Sequence, residues 1–179
     1  VASATKDKLS ANQQLSDLVQ ALGAGTGTSY REEDLRYDKI IIMTDADVDG
    51  AHIASLLITF FYRQMPQLID EGHLYLAVPP LYKLAQGPKV AYARNDAHKE
   101  ELLKGEMSGR AKVEISRFKG LGEMTAPQLK ETTMDPKKRM LLRVTLVDAM
   151  RADTAKIVEQ LMGNKPEERF NFISERAEF

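Results

Sequence analysis

A short apolar run that ends in three aspartates constrains the fold of this chain more than any other feature. The run Ile40–Met43 contains no polar residue, which is typical of a strand buried on both faces of a parallel sheet. Asp45, Asp47 and Asp49 follow at every second position, and a helical apolar pattern comes next. Open parallel sheets bind ligands beyond the carboxyl ends of their strands. The pattern therefore predicts an α/β fold with a site at these aspartates.

The three carboxylates predict a divalent metal site. On an extended chain, every second residue points to the same face, so the side chains of Asp45, Asp47 and Asp49 are expected to converge. A cation offsets their mutual repulsion, and oxygen ligands suit Mg²⁺. A calcium EF-hand loop begins with the same spacing, but its twelfth position must be Glu and is Leu56 here.

Two other interpretations of the triplet remain open. The aspartates are also suited to the start of a helix, as in a non-enzymatic docking module that binds nucleic acid or another protein chain. The chain also fits a Mg²⁺-dependent phosphohydrolase, because in such an enzyme the nucleophilic Asp follows an apolar strand, as Asp45 does here.

Composition indicates a globular, cytoplasmic protein that does not cross a membrane. Hydrophobic residues make up 43% and charged residues 28% of the 179 positions, which is ordinary for such a protein. No apolar run approaches the roughly 20 residues of a membrane span. The chain has no cysteine, which excludes disulfides and thiolate metal ligands.

Charge is distributed unevenly along the chain. The net charge is −1, so the protein is not a general polycation for nucleic acid. From Lys112 to Arg143, however, the sequence contains eight basic and four acidic residues, which is a local excess of four positive charges. A patch of this kind can contact phosphates, although charge alone does not distinguish it from a solvated surface.

Four stretches of the chain together resemble one protein family. They begin at Ile40, Gly72, Arg117 and Glu131 and read IIIMTDADVDGAHI, GHLYLAVPPLYK, RFKGLGEM and ETTMDP. They are similar to the Toprim domain and the following region of the B subunits of bacterial type IIA DNA topoisomerases. The resemblance extends from Leu9 to Leu146. The region from Asp34 to Lys83 favours the topoisomerase IV branch, with gyrase, which supercoils DNA, as the alternative.

The resemblance implies a fold and a domain organisation. We expect a Toprim-type, Rossmann-like parallel sheet flanked by helices, followed by a small α+β tail. Residues 1–110 are expected to form the Toprim domain. Residues 111–179 are expected to form the tail, which includes the DNA-facing RFKGLGEM segment and the terminal helices.

The resemblance also implies a mechanism. In this family, a Toprim acid cluster holds Mg²⁺ beside the scissile phosphate of double-stranded DNA, while a tyrosine of the A subunit attacks it. The full enzyme is an ATP-hydrolysing heterotetramer that passes one DNA duplex through another. By position, Asp45 and Asp47 are the catalytic residues, and Asp45, Asp47 and Asp49 are the metal ligands for one or two ions. His52, Arg117 and Lys119 are expected to contact DNA.

Two motifs of the family are missing from this sequence. An E-G-D-S-A-type motif, whose Glu is the remaining metal ligand, and a P-L-[RK]-G-K-type segment are expected upstream of the resemblance. Their absence predicts a sheet without its first strand and an incomplete metal site. We therefore expect the chain alone neither to cleave DNA nor to hydrolyse ATP.

Overall fold

Helices and strands are interspersed along the chain in the computed structural model, which describes Leu9, residues 11–147 and residues 150–177. The α-helices are α1 (Gln13–Leu22), α2 (Val48–Gln64), α3 (Gln67–Asp70), α4 (Asp96–Lys104), α5 (Ala126–Leu129), α6 (Arg151–Met162) and α7 (Pro166–Ser174). The strands are β1 (Ile40–Ile42), β2 (Leu74–Ala77), β3 (Tyr82–Gln86), β4 (Lys89–Ala93), β5 (Glu114–Arg117) and β6 (Leu141–Arg143). None of the helices described has the length and apolar character that crossing a membrane requires.

The strands form two three-stranded sheets. One has the order β1-β2-β6 and the other β4-β3-β5. In the second sheet β3 pairs antiparallel with both neighbours, so that Tyr82 lies opposite Ala93 on one side and Arg117 on the other. The turn residues Gln86, Gly87 and Pro88 between two apolar stretches predict a hairpin from the sequence, and the antiparallel pairing of β3 with β4 confirms it. The mixed α/β architecture agrees with the predicted fold class.

The described residues divide into two compact units. The first takes in the described parts of Val1–Ile40, Ser55–Tyr75 and Arg143–Phe179, and the second contains Ile41–Ala54 and Leu76–Leu142. The core of the first unit includes the buried side chains of Leu22, Phe60, Phe61, Met65, Leu68 and Leu74. The core of the second consists of Tyr82, Leu84, Ala93 and Met107.

The sequence predicts a first helix that begins with a capping box of Ser10 and Gln13 and ends at Gly23. Gly23 ends α1 with a φ of 83°, as a left-handed glycine is expected to do. At the amino end, Asn12 is the cap, and its Oδ1 accepts a hydrogen bond of 3.0 Å from the N–H of Leu15. The sequence also suggests Ser10 as a cap, but that position lies outside the described residues.

Burial around the aspartates is lower than the sequence predicts. Ile42 is buried in β1, but Ile40 and Ile41 are half-buried and Met43 is exposed, so the prediction of a strand buried on both faces is wrong. In α2, Phe60 is buried as expected, whereas Ile53 is 50% exposed. An uninterrupted apolar run shows that a strand can be buried, but how far it is covered depends on the elements that pack on it.

Gly72 and Gly87 both have a backbone conformation that favours glycine. The φ of Gly72 is +82°, and a Cβ there would lie 2.0 Å from the guanidinium of Arg143, an exposed side chain that can move. Gly87 has a similar φ of +61° with no atom within 4 Å of its would-be Cβ. We expect Gly87→Ala to lower the free energy of unfolding by about 1 kcal/mol through backbone strain alone, and Gly72→Ala to lower it by about 1.5–2 kcal/mol because Arg143 must also move. Urea unfolding of both variants measures the difference, and adding Arg143→Ala should remove most of it. Equal losses at the two glycines would contradict this account.

His73 connects two segments of the first unit. Its Nδ1 lies 2.7 Å from the carbonyl oxygen of Asp38, and its Nε2 lies 2.7 Å from Oε1 of Glu32. Both contacts are hydrogen bonds that the protonated ring donates. The bond to the Asp38 carbonyl raises the pKa of His73 above its ordinary value of 6.5, and the Glu32 carboxylate adds to the shift.

The raised pKa of His73 makes stability depend on pH. The stabilisation is fully present below pH 6.5, the value in the unfolded chain, and it is lost as pH rises through the higher folded value. We therefore expect the thermal midpoint of wild type, relative to that of His73→Phe, to fall as the pH is raised above 6.5. Thermal unfolding at several pH values measures this difference. Parallel curves for the two proteins would show that His73 does not contribute.

Candidate metal and DNA site

Asp45 and Asp47 lie in the segment between β1 and α2, and Asp49 lies in the first turn of α2. All three side chains are exposed. The helix begins at Val48, so the chain is not extended across the whole triplet. The prediction that the three carboxylates share a face because they alternate along an extended chain is therefore wrong from Val48 onwards.

Asp47 caps the helix. Its Oδ1 accepts a 2.7 Å hydrogen bond from the N–H of Gly50, and its carbonyl accepts one of 3.0 Å from the N–H of Ala51. Asp49 is an acid in the first turn, where the helix dipole favours negative charge. The interpretation of the aspartates as residues suited to a helix start is therefore correct for Asp47 and Asp49. It does not describe Asp45, which makes no bond to the helix end through its side chain.

Gly50 lets the helix begin directly against Asp45. A Cβ on Gly50 would lie 2.1 Å from the carbonyl oxygen of Asp45, far inside any real contact. Gly50 itself is buried. The glycine that follows the triplet is therefore a packing requirement of the turn that carries Asp45.

The RFKGLGEM segment continues β5 and is anchored by two buried side chains. Phe118 is 8% and Met124 is 9% exposed, and both border a small cavity together with Pro79 and Pro80. The N–H of Phe118 donates a 2.8 Å hydrogen bond to the carbonyl of Leu81. The segment is thus held near both of its ends.

Between these anchors the segment touches the carboxylate of Asp45. The N–H of Leu121 donates a 2.7 Å hydrogen bond to Oδ1 of Asp45. A Cβ on Gly120 would lie 2.9 Å from both Cγ and Oδ2 of Asp45, so a side chain there would press on the carboxylate. The sequence suggests that Gly120 and Gly122 allow another chain to approach closely, but it does not indicate the contact with Asp45.

The predicted DNA-contacting residues are all exposed, and they lie on three different elements. His52 is in the second turn of α2, Arg117 ends β5, and Lys119 follows Phe118. The Arg117 guanidinium lies 5.9 Å from the centroid of the Tyr82 ring, a weak cation–π contact. The backbone of Lys119 is fixed by a 2.8 Å hydrogen bond from its N–H to Oε2 of Glu123, while its side chain is free to reach a partner.

The donor chemistry around Asp45 fits Mg²⁺, although the chain gathers few ligands by itself. Asp45 and Asp47 each use Oδ1 for one backbone bond, which leaves Oδ2 for a cation. Carboxylate oxygens are the ligands that Mg²⁺ prefers. Across the described residues, however, no three Asp, Glu or His side chains are close enough together to hold a metal ion. The arrangement fits a partial ligand set.

Two protein families match the chain. Residues 3–79 match the Toprim domain, a family that binds Mg²⁺ in general, and residues 110–174 match the carboxyl terminus of the DNA gyrase B subunit. The Asp triplet lies in the first match and the RFKGLGEM segment lies in the second.

Curated relatives match over essentially the whole chain. The B subunit of DNA topoisomerase 4 from Caulobacter vibrioides is 68% identical over 179 residues, and that from Bartonella bacilliformis is 65% identical. The B subunit of DNA gyrase from Halalkalibacterium halodurans is 52% identical over 179 residues. The chain spans 26–28% of the length of these three relatives. It belongs to the family of bacterial type IIA DNA topoisomerase B subunits, of which it carries the Toprim domain and the carboxyl-terminal region.

Proposed function

We propose that this chain supplies the Mg²⁺-binding part of a DNA cleavage–religation centre in a type IIA topoisomerase of the topoisomerase IV kind. The observation that carries the proposal is the joining of the two family motifs at Asp45, through the N–H of Leu121. The 65–68% identity to the topoisomerase 4 relatives, against 52% to the gyrase relative, favours that branch.

Asp45 and Asp47 are proposed as catalytic metal ligands, with Asp49 beside them in the first turn of α2 as a ligand or as a support for the ligands, because the three carboxylates do not gather around one point. A bound Mg²⁺ would neutralise charge that develops on the phosphate and on the leaving oxygen during cleavage. The protein's own contribution is to hold the carboxylates in place. Asp47 is fixed by the start of α2, and Asp45 is fixed by Leu121. Fixed charges are effective because they need not reorganise as the reaction proceeds.

His52, Arg117 and Lys119 are proposed to contact double-stranded DNA. Arg117 and Lys119 belong to the same segment that fixes Asp45. Both side chains are exposed, whereas that of Phe118 between them is buried. A phosphate contact by either residue would therefore bring the DNA backbone close to that carboxylate. Such contacts position the duplex and do not read its sequence.

The remaining parts of the proposal concern the whole enzyme. The partner is an A subunit with a catalytic tyrosine, in an ATP-hydrolysing, cytoplasmic heterotetramer. Residues 1–110 are assigned to the Toprim domain and residues 111–179 to the tail. The contacts of the Phe118–Met124 segment with Asp45 mean that these two regions would build one site.

A plasmid cleavage assay tests the proposal. The chain is produced within a full-length B subunit, mixed with the cognate A subunit, negatively supercoiled plasmid and Mg²⁺, and stopped with detergent and protease. We expect linear and nicked DNA that requires Mg²⁺ and both subunits. If an assembled and folded complex gives no cleavage, the proposal is wrong. A phosphoryl group trapped on Asp45 would instead show a phosphohydrolase.

A further inference from the structure

The loop at Gly120 and Leu121 makes a contact with Asp45 that is independent of any DNA contact. The donor is a backbone N–H at 2.7 Å, and the acceptor is one oxygen of an exposed carboxylate. The other oxygen, Oδ2, accepts no hydrogen bond from any residue within the described ranges. The two oxygens of Asp45 therefore differ: Oδ1 is held by a backbone N–H, and Oδ2 has no hydrogen-bond donor from the described residues.

The geometry of the donor is set before any ligand arrives. Phe118 and Met124 are buried on either side, and the N–H of Lys119 is bonded to Oε2 of Glu123 at 2.8 Å. The residues from Leu121 to Glu123 form a 3₁₀ turn. A donor on a braced backbone restricts the rotamers of an exposed side chain, which would otherwise interconvert freely.

We propose that the Gly120–Leu121 peptide positions Asp45 for metal binding, with Oδ1 held by the Leu121 N–H and Oδ2 presented to the cation. The inference rests on the proposed role of Asp45 as a metal ligand. It assigns Gly120 and Leu121 as positioning residues that act through Asp45. A hydrogen bond to a metal-ligating carboxylate fixes its orientation, and loss of such support typically costs roughly 10–100-fold in metal affinity.

Gly120 offers a selective way to disturb this contact. A Cβ there would press on the end of the Asp45 side chain, at 2.9 Å from Cγ and Oδ2, and an exposed side chain can move away. Gly120 has a φ of −161°, so Ala introduces no backbone strain. Gly122 lies two residues further on, and a Cβ at Gly122 would meet no atom within 4 Å. It provides the matched control.

The test is a Mn²⁺ titration of the 179-residue chain followed by backbone NMR. Mn²⁺ substitutes for Mg²⁺ and broadens the signals of nearby amides. In wild type and Gly122→Ala we expect the Gly50 and Leu121 amide signals to broaden together at the same Mn²⁺ concentration. In Gly120→Ala we expect about tenfold more Mn²⁺ to be needed. Calorimetric titration with Mg²⁺ should show the same ratio.

Each outcome is decisive. Equal Mn²⁺ dependence in Gly120→Ala and wild type would overturn the positioning role and leave Asp45 as a metal ligand. Absence of broadening near Asp45 in wild type, both in this chain and within a full-length B subunit that supplies the remaining ligand, would overturn both. If Gly120→Ala fails to fold, Asp45→Glu replaces it, because the longer side chain keeps its charge but cannot reach the same place against Leu121. Metal affinity of Asp45→Glu equal to that of wild type would then overturn the inference.

Discussion

Asp45→Asn is expected to lower the rate of Mg²⁺-dependent DNA cleavage by the assembled topoisomerase about a thousandfold. Asn keeps an oxygen that can accept the hydrogen bond from Leu121, and it has nearly the same size as Asp. The substitution therefore removes the charge of the ligand and leaves the local packing in place. The fraction of plasmid cleaved at a fixed time, over a range of Mg²⁺ concentrations, measures the loss.

Asp17→Asn is the control for this experiment. Asp17 lies on the exposed surface of α1, where its Oδ1 accepts a hydrogen bond from the side chain of Gln13. The control removes one exposed carboxylate from the same chain, and we expect cleavage at the wild-type rate. Cleavage by Asp45→Asn within about tenfold of wild type would show that Asp45 is not an essential ligand.

Gly50→Ala is expected to lower the free energy of unfolding by about 3 kcal/mol. Intrinsic preference points the other way, because Ala is favoured over Gly within a helix by about 1 kcal/mol. The clash decides the sign: the new Cβ would lie 2.1 Å from the carbonyl oxygen of Asp45, which is backbone and cannot rotate away. Either α2 must begin later or the turn that carries Asp45 must move.

Urea unfolding of Gly50→Ala beside Gly122→Ala tests this expectation. Gly122 also lies in a helical turn, but a Cβ there would meet open space, so its substitution should change stability by less than roughly 0.5 kcal/mol. A neutral or stabilising effect of Gly50→Ala would mean that the contact with Asp45 relaxes at little cost.

Local patterns in the sequence predicted the elements of this site well. The apolar run predicted β1, and the glycine-containing turn predicted the β3–β4 hairpin. Thr125, shortly before Pro127, predicts the cap of a helix that begins there. The structure confirms that cap, with reciprocal hydrogen bonds between Thr125 and Gln128. Each of these features is decided by residues within a few positions of one another, so a local pattern is enough to indicate it.

Sequence reasoning did not predict how the elements meet. The spacing of the aspartates suggested an extended chain, but the capping bond of Asp47 starts the helix at once and turns Asp49 onto it. The sequence indicates a tight turn at Gly120 and assigns no role to Gly50. In the structure both glycines lie against Asp45, although Gly120 is far from it in the sequence. These glycines approach Asp45 closely because they have no side chain, and the sequence around a glycine does not indicate which distant residue it will contact.

The hydrogen bond between Asp45 and Leu121 joins residues that are 76 positions apart. Closing so long a loop is entropically costly, so the orientation of Asp45 depends on the folding of all the chain between the two residues. During synthesis Asp45 emerges before Leu121, so the carboxylate is present before the N–H that holds it. The oriented carboxylate is therefore a product of the folded domain and not of the aspartate-containing segment.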